Sequence, residues 1–159
     1  MGVCYYRGLG VSQSYERAAE LYQQAASQGH AYAQACLGDL YRHGLGVSQS
    51  YERAAELWKQ AAAKGHAKAQ CNLGILYREG KGVPQSYERA AELWKQAASQ
   101  GHAYAQTGLG DLYLNGLGVP KDVARAVALL KQAAAGGDKD VAKAAADRLR
   151  ELGEAVPPA

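Results

Sequence analysis

Small and apolar residues recur along the chain at the three- and four-residue spacing of an α-helix. In Tyr15–Ser27 the apolar face consists of Ala18, Leu21, Tyr22, Ala25 and Ala26. In Ala31–His43 the corresponding inward set is Ala33, Leu37, Leu40 and Tyr41. Gly29 and Gly44 follow these segments and can adopt the left-handed conformation that ends a helix. The pattern therefore predicts two helices separated by tight turns.

This two-helix pattern repeats every 36 residues. The sequence Tyr-Glu-Arg-Ala-Ala-Glu-Leu begins at Tyr15, Tyr51 and Tyr87, and a looser copy begins at Val123. A residue suited to capping a helix precedes each copy, namely Ser14, Ser50, Ser86 and Asp122. A period of this length is typical of arrays in which each unit contacts mainly its neighbours. The sequence predicts an all-α fold, an α/α superhelical solenoid of 36-residue helix-turn-helix repeats.

We expect a single repeat domain over residues 1–159. Its parts are a truncated N-terminal half-helix (1–10), the repeat array (11–137), a C-terminal capping helix (138–152) and a disordered tail (153–159). The capping helix is predicted because the segment 138–151 carries many charges, as a solvated end of an array requires. Gly2 and Tyr5 match Gly38 and Tyr41, so the chain is expected to begin halfway along a helix. An uncapped apolar end predicts a weak homodimer.

Composition and charge favour a folded protein without a nucleic-acid or membrane partner. Charged residues make up 21% and hydrophobic residues 48%, as in ordinary globular proteins. The net charge is only +3, and Lys and Arg are spread through the copies instead of forming a basic stripe. No apolar run approaches the roughly 20 residues that span a bilayer. We expect a soluble chain of unknown compartment, without signal peptide or transmembrane segment.

Neither the cysteines nor the histidines form a pattern that indicates a disulfide framework or a metal site. The three cysteines, Cys4, Cys36 and Cys71, do not recur at the repeat spacing and are expected to be reduced thiols. His30, His66, His102 and Asp138 occupy equivalent positions before the second helix of each copy. Since successive positions should lie about 10 Å apart, a capping or turn role is favoured over metal ligation. No metal and no cofactor are expected.

The Gly-x-Gly sequences also favour a structural interpretation. Gly44-Leu45-Gly46-Val47 joins one helix to the next, and equivalents begin at Gly80 and Gly116. A Gly-x-Gly that cradles phosphate joins a strand to a helix, which is not the context here. A tight turn with positive φ is the expected structure.

A spaced pattern of small and aromatic residues connects adjacent copies. It reads Ala33-x3-Leu37-Gly38-x2-Tyr41-x2-Gly44-x-Gly46-Val47-x2-Ser50-x3-Ala54-x3-Trp58-x2-Ala61-Ala62-x2-Gly65. This pattern resembles the consensus of the Sel-one-like repeat (SLR) family, a relative of the tetratricopeptide repeats (TPR). Further copies near Ala69 and Ala105 extend the match over nearly the whole chain. In tetratricopeptide-like arrays the second helices line a concave groove that holds peptide ligands.

The positions at which the copies differ lie on one face of the second helix, the face expected to line the groove. Val11–Gly46 and Val83–Gly118 differ at seven positions, four of them in the second helix. The divergent positions of that helix fall at spacings that form one stripe, opposite the packing residues. The predicted partner-binding groove contains Tyr32, Ala35, Asp39, Arg42 and His43 from the first copy, Lys68, Cys71, Ile75, Arg78 and Glu79 from the second, and Tyr104, Thr107, Asp111, Leu114 and Asn115 from the third.

These observations favour a non-catalytic protein–protein interaction scaffold that binds a peptide or protein segment. No catalytic residues are expected, because nearly every polar side chain recurs in each copy instead of forming a unique constellation. A designed or consensus scaffold without natural ligand is an alternative, since the copies are nearly identical. An RNA-binding helical repeat is less favoured because Asp39, Glu79 and Asp111 would make its groove acidic. The divergent stripe is alternatively an ordinary solvated face with neutral drift.

Overall fold

The computed structural model describes residues 1–158, which form nine α-helices and no strand. The helices are α1 (Gly2–Arg7), α2 (Tyr15–Ser27), α3 (Ala31–His43), α4 (Tyr51–Ala63), α5 (Ala67–Glu79), α6 (Tyr87–Ser99), α7 (Ala103–Asn115), α8 (Val123–Ala134) and α9 (Lys139–Glu151). The bounds of α2 and α3 coincide with the two segments predicted from apolar periodicity. The predicted all-α repeat fold is confirmed.

The helices are grouped into two compact units. The first unit, Met1–Gln85, contains α1 to α5, and the second unit begins at Ser86 and contains α6 to α9. The boundary falls in the turn that precedes the N-cap of α6. The single repeat domain expected over residues 1–159 stays a prediction, because each helix of a linear array packs mainly on its neighbours.

Side-chain caps start the first helix of every copy. The side chain of Ser14 accepts a hydrogen bond from the backbone N–H of Arg17, and the same bond recurs at Ser50, Ser86 and Asp122. His66 and Asp138 cap α5 and α9 in the same way, through bonds from backbone N–H groups in the first turn. Each cap satisfies a donor that the helix itself leaves unpaired. The predicted caps of the first helices are confirmed.

A buried tryptophan fixes the packing of α4 on α3 in the first unit. Trp58 is fully buried, and its indole Nε1 donates a hydrogen bond to the backbone carbonyl of Ala35 at 3.1 Å. Gly38 lies against the same indole, so closely that a Cβ atom at this position would overlap with it. In the preceding copy Tyr22 replaces the tryptophan and packs against Gly2. Gly2 and Gly38 thus allow a close approach of a helix to an aromatic ring, and the equivalent Gly110 lies against Leu130.

In the second unit, α8 and α9 form an apolar cluster around Leu130 and Leu149, which are both fully buried. The segment after α9, expected to be disordered, contacts this cluster. Val156 packs against it, and Glu154 forms an ion pair with Lys131 at 3.0 Å. These two contacts place residues 154–156 against the helices.

No helix among residues 1–158 combines the length and the apolar character needed to cross a bilayer.

Candidate functional site

Three residues of the predicted groove are not available at the surface. Ala35, Cys71 and Ile75 are 3%, 1% and 8% exposed, so their side chains serve packing. Positions 35 and 71 are equivalent in the repeat, and position 75 is equivalent to Asp39, which remains partly exposed. A difference between copies can therefore reflect a change in core packing, as at these positions, as well as variation at the surface. The predicted groove is corrected by the removal of these three residues.

In the second unit, the last two helices engage two of the five predicted groove residues, Asp111 and Leu114. Arg148 of α9 forms an ion pair with Asp111 of α7 at 3.3 Å, and Leu114 packs against the α8–α9 cluster. The side chains of Thr107 and Asn115 bond to backbone carbonyls of α7 itself, at 3.1 and 2.8 Å. Tyr104 is 41% exposed, and Asn115 is exposed as well. Tyr104 and Asn115 are therefore open to a partner, whereas Asp111 and Leu114 are engaged within the unit.

The first unit keeps a continuous set of accessible candidates on α3 and α5. We call this set the first-unit stripe: Tyr32, Asp39, Arg42, His43, Lys68, Arg78 and Glu79. Tyr32 is 57% exposed, although it is aromatic. Asp39 links the two helices, because its carboxylate accepts hydrogen bonds from Lys68 and from the amide of Asn72 at 2.5 and 3.0 Å. The stripe is thus a surface held in place across two helices.

Charges at the other end of the stripe are also ordered. Glu79 forms ion pairs with Arg78 and Lys81 at 3.0 and 2.9 Å. The hydrogen bond from Lys81 holds the pKa of the Glu79 carboxyl below its usual value. Arg42, by contrast, forms no ion pair with the described residues and is half-buried. It is therefore a cation available to an incoming carboxylate.

A pocket of about 100 Å³ opens beside the stripe, between α1, α2, α3 and α5. The stripe contributes Tyr32, Asp39 and Lys68, and the remaining wall consists of Val3, Tyr6, Arg7, Tyr22 and Cys36. None of these five residues was among the predicted site residues. Two signals in the sequence point to some of them: Cys36 is at a divergent position, and Tyr6 and Arg7 precede Arg42 and His43 by one repeat. The repeat register alone could thus have extended the stripe onto α1.

The pocket contains a protonated thiol and a charged lysine. Burial raises the pKa of Cys36, against the opposing effect of the Tyr32 and Tyr22 hydroxyl groups. Burial disfavours the Lys68 ammonium, but the bond to Asp39 outweighs it and raises the Lys68 pKa. At neutral pH the pocket therefore presents phenol and thiol groups beside Arg7 and the Lys68–Asp39 ion pair, which suits contact with a polar group.

The reactivity of the Cys71 thiol tests whether its side chain is buried, as its 1% exposure indicates. Burial raises the pKa of its thiol to about 12, although Arg42 and Arg78 act in the opposite direction. At pH 8 only about one thiol in ten thousand would be ionised, and the thiolate is the reactive form. We expect a Cys4→Ser/Cys36→Ser variant to resist Ellman's reagent when folded and to react fully in denaturant. Rapid reaction of the folded variant would show that Cys71 is accessible and that the stripe includes it.

The described residues offer contact surfaces rather than a metal centre. No group of three or more His, Cys, Asp or Glu side chains within residues 1–158 could hold a metal ion. Cys4, Cys36 and Cys71 are free cysteines. The arrangement can therefore provide hydrogen bonds, charge and aromatic contact area to a bound segment.

Comparison with known proteins identifies the repeat. The Sel1 repeat family profile matches residues 1–30, 31–66, 67–102 and 103–138. A Sel1 repeat protein from Oxalobacter formigenes is 36% identical, with a TM-score of 0.83, over 98% of this chain and 65% of its own. The protective antigen c5321 of uropathogenic Escherichia coli, which displays an SLR fold, is 30% identical, with a TM-score of 0.84, over 99% of this chain and 34% of its own.

A more distant structure supports the fold alone. Helicobacter pylori cysteine rich protein B is 21% identical, with a TM-score of 0.61, over 83% of this chain and 95% of its own. No curated protein matches the chain. The chain spans about a third of the E. coli protein and about two thirds of the O. formigenes protein.

Proposed function

Because the chain belongs to the Sel1 repeat family, whose members generally mediate protein–protein interactions, we propose that it is a non-catalytic scaffold. The first-unit stripe binds a peptide or protein segment of a partner. The observation that carries this proposal is the exposure of an aromatic residue, Tyr32, beside a pocket and beside charges that are ordered across two helices. Tyrosine provides rigid contact area at low entropic cost, and arginine binds carboxylates in a defined geometry.

The charges of the stripe indicate the chemistry of the bound segment. The stripe and the adjacent pocket together contain two acidic side chains, Asp39 and Glu79. They contain four basic ones, namely Arg7, Arg42, Lys68 and Arg78. Both carboxylates already have basic partners. The remaining positive charge, centred on Arg7 and Arg42, favours a partner segment with acidic side chains. A nearby apolar or aromatic group would pack on Tyr32.

A triple substitution tests the stripe. We expect Tyr32→Ala, Arg42→Ala and Lys68→Ala together to weaken binding of a protein partner at least tenfold, because the variant removes the aromatic contact and two cations. The matched control is Leu9→Ala, Arg53→Ala and Lys59→Ala, which removes one exposed apolar and two exposed basic side chains of the first unit. Isothermal titration calorimetry of both variants, after circular dichroism has confirmed equal helical content, gives the comparison. Equal affinities would exclude the stripe as the binding surface.

A further inference from the structure

The first helix of the fourth copy, α8, lacks the acidic side chains that the other first helices carry. Two glutamates recur at equivalent positions of α2, α4 and α6, namely Glu16 and Glu20, Glu52 and Glu56, and Glu88 and Glu92. In α8 these positions are Ala124 and Ala128, and both alanines are exposed. The arginine between the two positions is retained as Arg125. The exposed face of α8 is therefore more apolar and less acidic than that of the other copies.

A groove of about 260 Å³ lies between α7 and α8 in the second unit. Its lining consists of Leu109, Tyr113, Arg125, Ala128, Leu129 and Gln132. Leu109 and Tyr113 are buried, whereas Ala128 is exposed beside them. The volume is below the roughly 300–1,000 Å³ of clefts that bind small molecules. The groove therefore suits an individual side chain of a larger partner.

The equivalent groove of the first unit shows what the alanine in α8 changes. That groove has a volume of about 220 Å³ and is lined by the equivalent arginine, leucine and glutamine: Arg53, Leu57 and Gln60. Glu56 also lines it and forms an ion pair with Arg53 at 3.9 Å. Because Ala128 holds the position of Glu56, none of the residues that line the second-unit groove carries a carboxylate. An acidic occupant repelled from the first groove is therefore accommodated in the second.

A hydrogen-bond donor is present at each end of the second-unit groove. At one end the guanidinium of Arg125 forms an ion pair with Asp122 at 3.2 Å and lies over the ring of Tyr113, 5.8 Å from its centroid. The Asp122 carboxylate also serves as the N-cap of α8, so it is shared between two donors. At the other end the buried amide of Gln106 donates to Oε1 of Gln132 at 3.5 Å. Because its oxygen is engaged, Gln132 offers N–H groups to an incoming acceptor.

We propose that this groove binds an extended segment of a partner protein, with a carboxylate on Arg125, an aliphatic side chain against Leu129 and a backbone carbonyl on Gln132. The lining carries one cation and no anion, which the carboxylate complements. Arg125 and Gln132 are seven positions apart on α8, a separation of about 10 Å. About three residues of an extended chain cover this distance. The occupant thus has its acidic residue close in sequence to the aliphatic one.

The proposed site is distinct from the first-unit stripe. All of its lining residues belong to the second unit. Leu109 and Tyr113 also lie on the opposite face of α7 from Tyr104 and Asp111, the helix positions first predicted to bind a partner. The groove is therefore a second docking site that goes beyond the function proposed for the stripe.

A short peptide tests the groove. The probe is the acetylated and amidated peptide Gly-Asp-Gly-Leu-Gly-Gly, which places a carboxylate two residues from an aliphatic side chain. Because so small a contact offsets little of the entropy lost on association, binding must be weak and is best followed by NMR. We expect the methyl signals of Ala128 and Leu129 to shift saturably with this peptide. A peptide with glycine in place of the leucine should cause no shift, and asparagine in place of the aspartate should weaken binding about tenfold. Absent shifts, or equal shifts with all three peptides, would overturn the proposal.

Two glutamate variants of α8 provide the matched comparison, because each restores a residue of the other copies at an exposed position. Ala128→Glu places a carboxylate in the groove and should weaken binding of the peptide about tenfold. Ala124→Glu places one outside the groove and should change binding less than about twofold. Gln132→Ala should weaken binding about fivefold, as expected for the loss of one hydrogen bond. Equal effects of the two glutamate variants would contradict the docking geometry.

Two further results distinguish this site from the alternatives. If the protein alone forms a dimer that Ala128→Glu dissociates, as sedimentation would show, a second copy occupies the groove and the proposed occupant is wrong. Arg42→Ala with Lys68→Ala should weaken binding of an acidic partner to the stripe without changing the peptide-induced shifts on α8. Loss of those shifts in this double variant would mean that the peptide binds the stripe, and the second docking site would be refuted.

Discussion

Replacing Gly46 with Ala is expected to lower the free energy of unfolding of the first unit by about 3 kcal/mol. Gly46 lies in the turn between α3 and α4 with φ of 68°, a left-handed conformation that costs L-residues about 1 kcal/mol. A Cβ at this position would also overlap with the backbone carbonyl group of Tyr15 at the start of α2. Since the N-cap bond of Ser14 fixes that turn of α2, the overlap cannot be relieved by moving a side chain. Both costs therefore apply.

Gly10 provides the matched control because it is the equivalent residue one repeat earlier. Its φ is 73°, but a Cβ there would meet nothing within 4 Å. Gly10→Ala should therefore cost only the conformational term, about 1 kcal/mol or less. Urea unfolding followed by circular dichroism measures both variants. Equal losses would mean that the close approach of Gly46 to α2 contributes nothing to stability.

Truncation of Trp58 to Ala should cost about 4 kcal/mol, the largest effect expected of any single side chain in the first unit. Trp58 is fully buried between α3 and α4, and its removal would leave a cavity as well as the loss of its hydrogen bond to Ala35. The small residue Gly38 lies against the ring and cannot fill the space. Thermal unfolding should show a correspondingly large decrease in Tm.

Trp58→Phe distinguishes ring volume from the hydrogen bond. Phenylalanine keeps much of the apolar surface, so we expect a loss of only about 1–2 kcal/mol. Trp94 is equally buried in the second unit, and Trp94→Ala should match Trp58→Ala in size. A small effect of both alanine variants would refute the interpretation that the tryptophan ring organises the helices that pack around it.

The helices and turns could be predicted because their causes are local. Apolar spacing, the N-cap at Ser50 and the glycine at 44 each act within a few residues of the chain, and the repeat confirms each signal several times. The division into two units was not predicted, because the repeats are alike on both sides of Gln85 and no local signal marks the boundary.

The candidate site was predicted only in part, because exposure depends on neighbours distant in sequence. Comparison of copies found the variable face of the second helix, including Tyr32 and Arg42. It could not distinguish variation that serves packing, as at Cys71, from variation at the surface. Nor could it show that the last helix engages Asp111 through Arg148, since the sequence of α9 departs from the repeat. The positions of the helices follow from local sequence signals, whereas the exposure of a side chain depends on how the helices pack.

Site-specific photocrosslinking tests the binding surface most directly. A photoreactive residue would be placed at Arg42, in the first-unit stripe, or at Lys59, an exposed position of α4 outside it. Crosslinking of one protein partner from position 42, with none from position 59, is the predicted result. Crosslinking from position 59 alone, or equally from both positions, would contradict the conclusion that this Sel1 repeat protein binds through the stripe on α3 and α5.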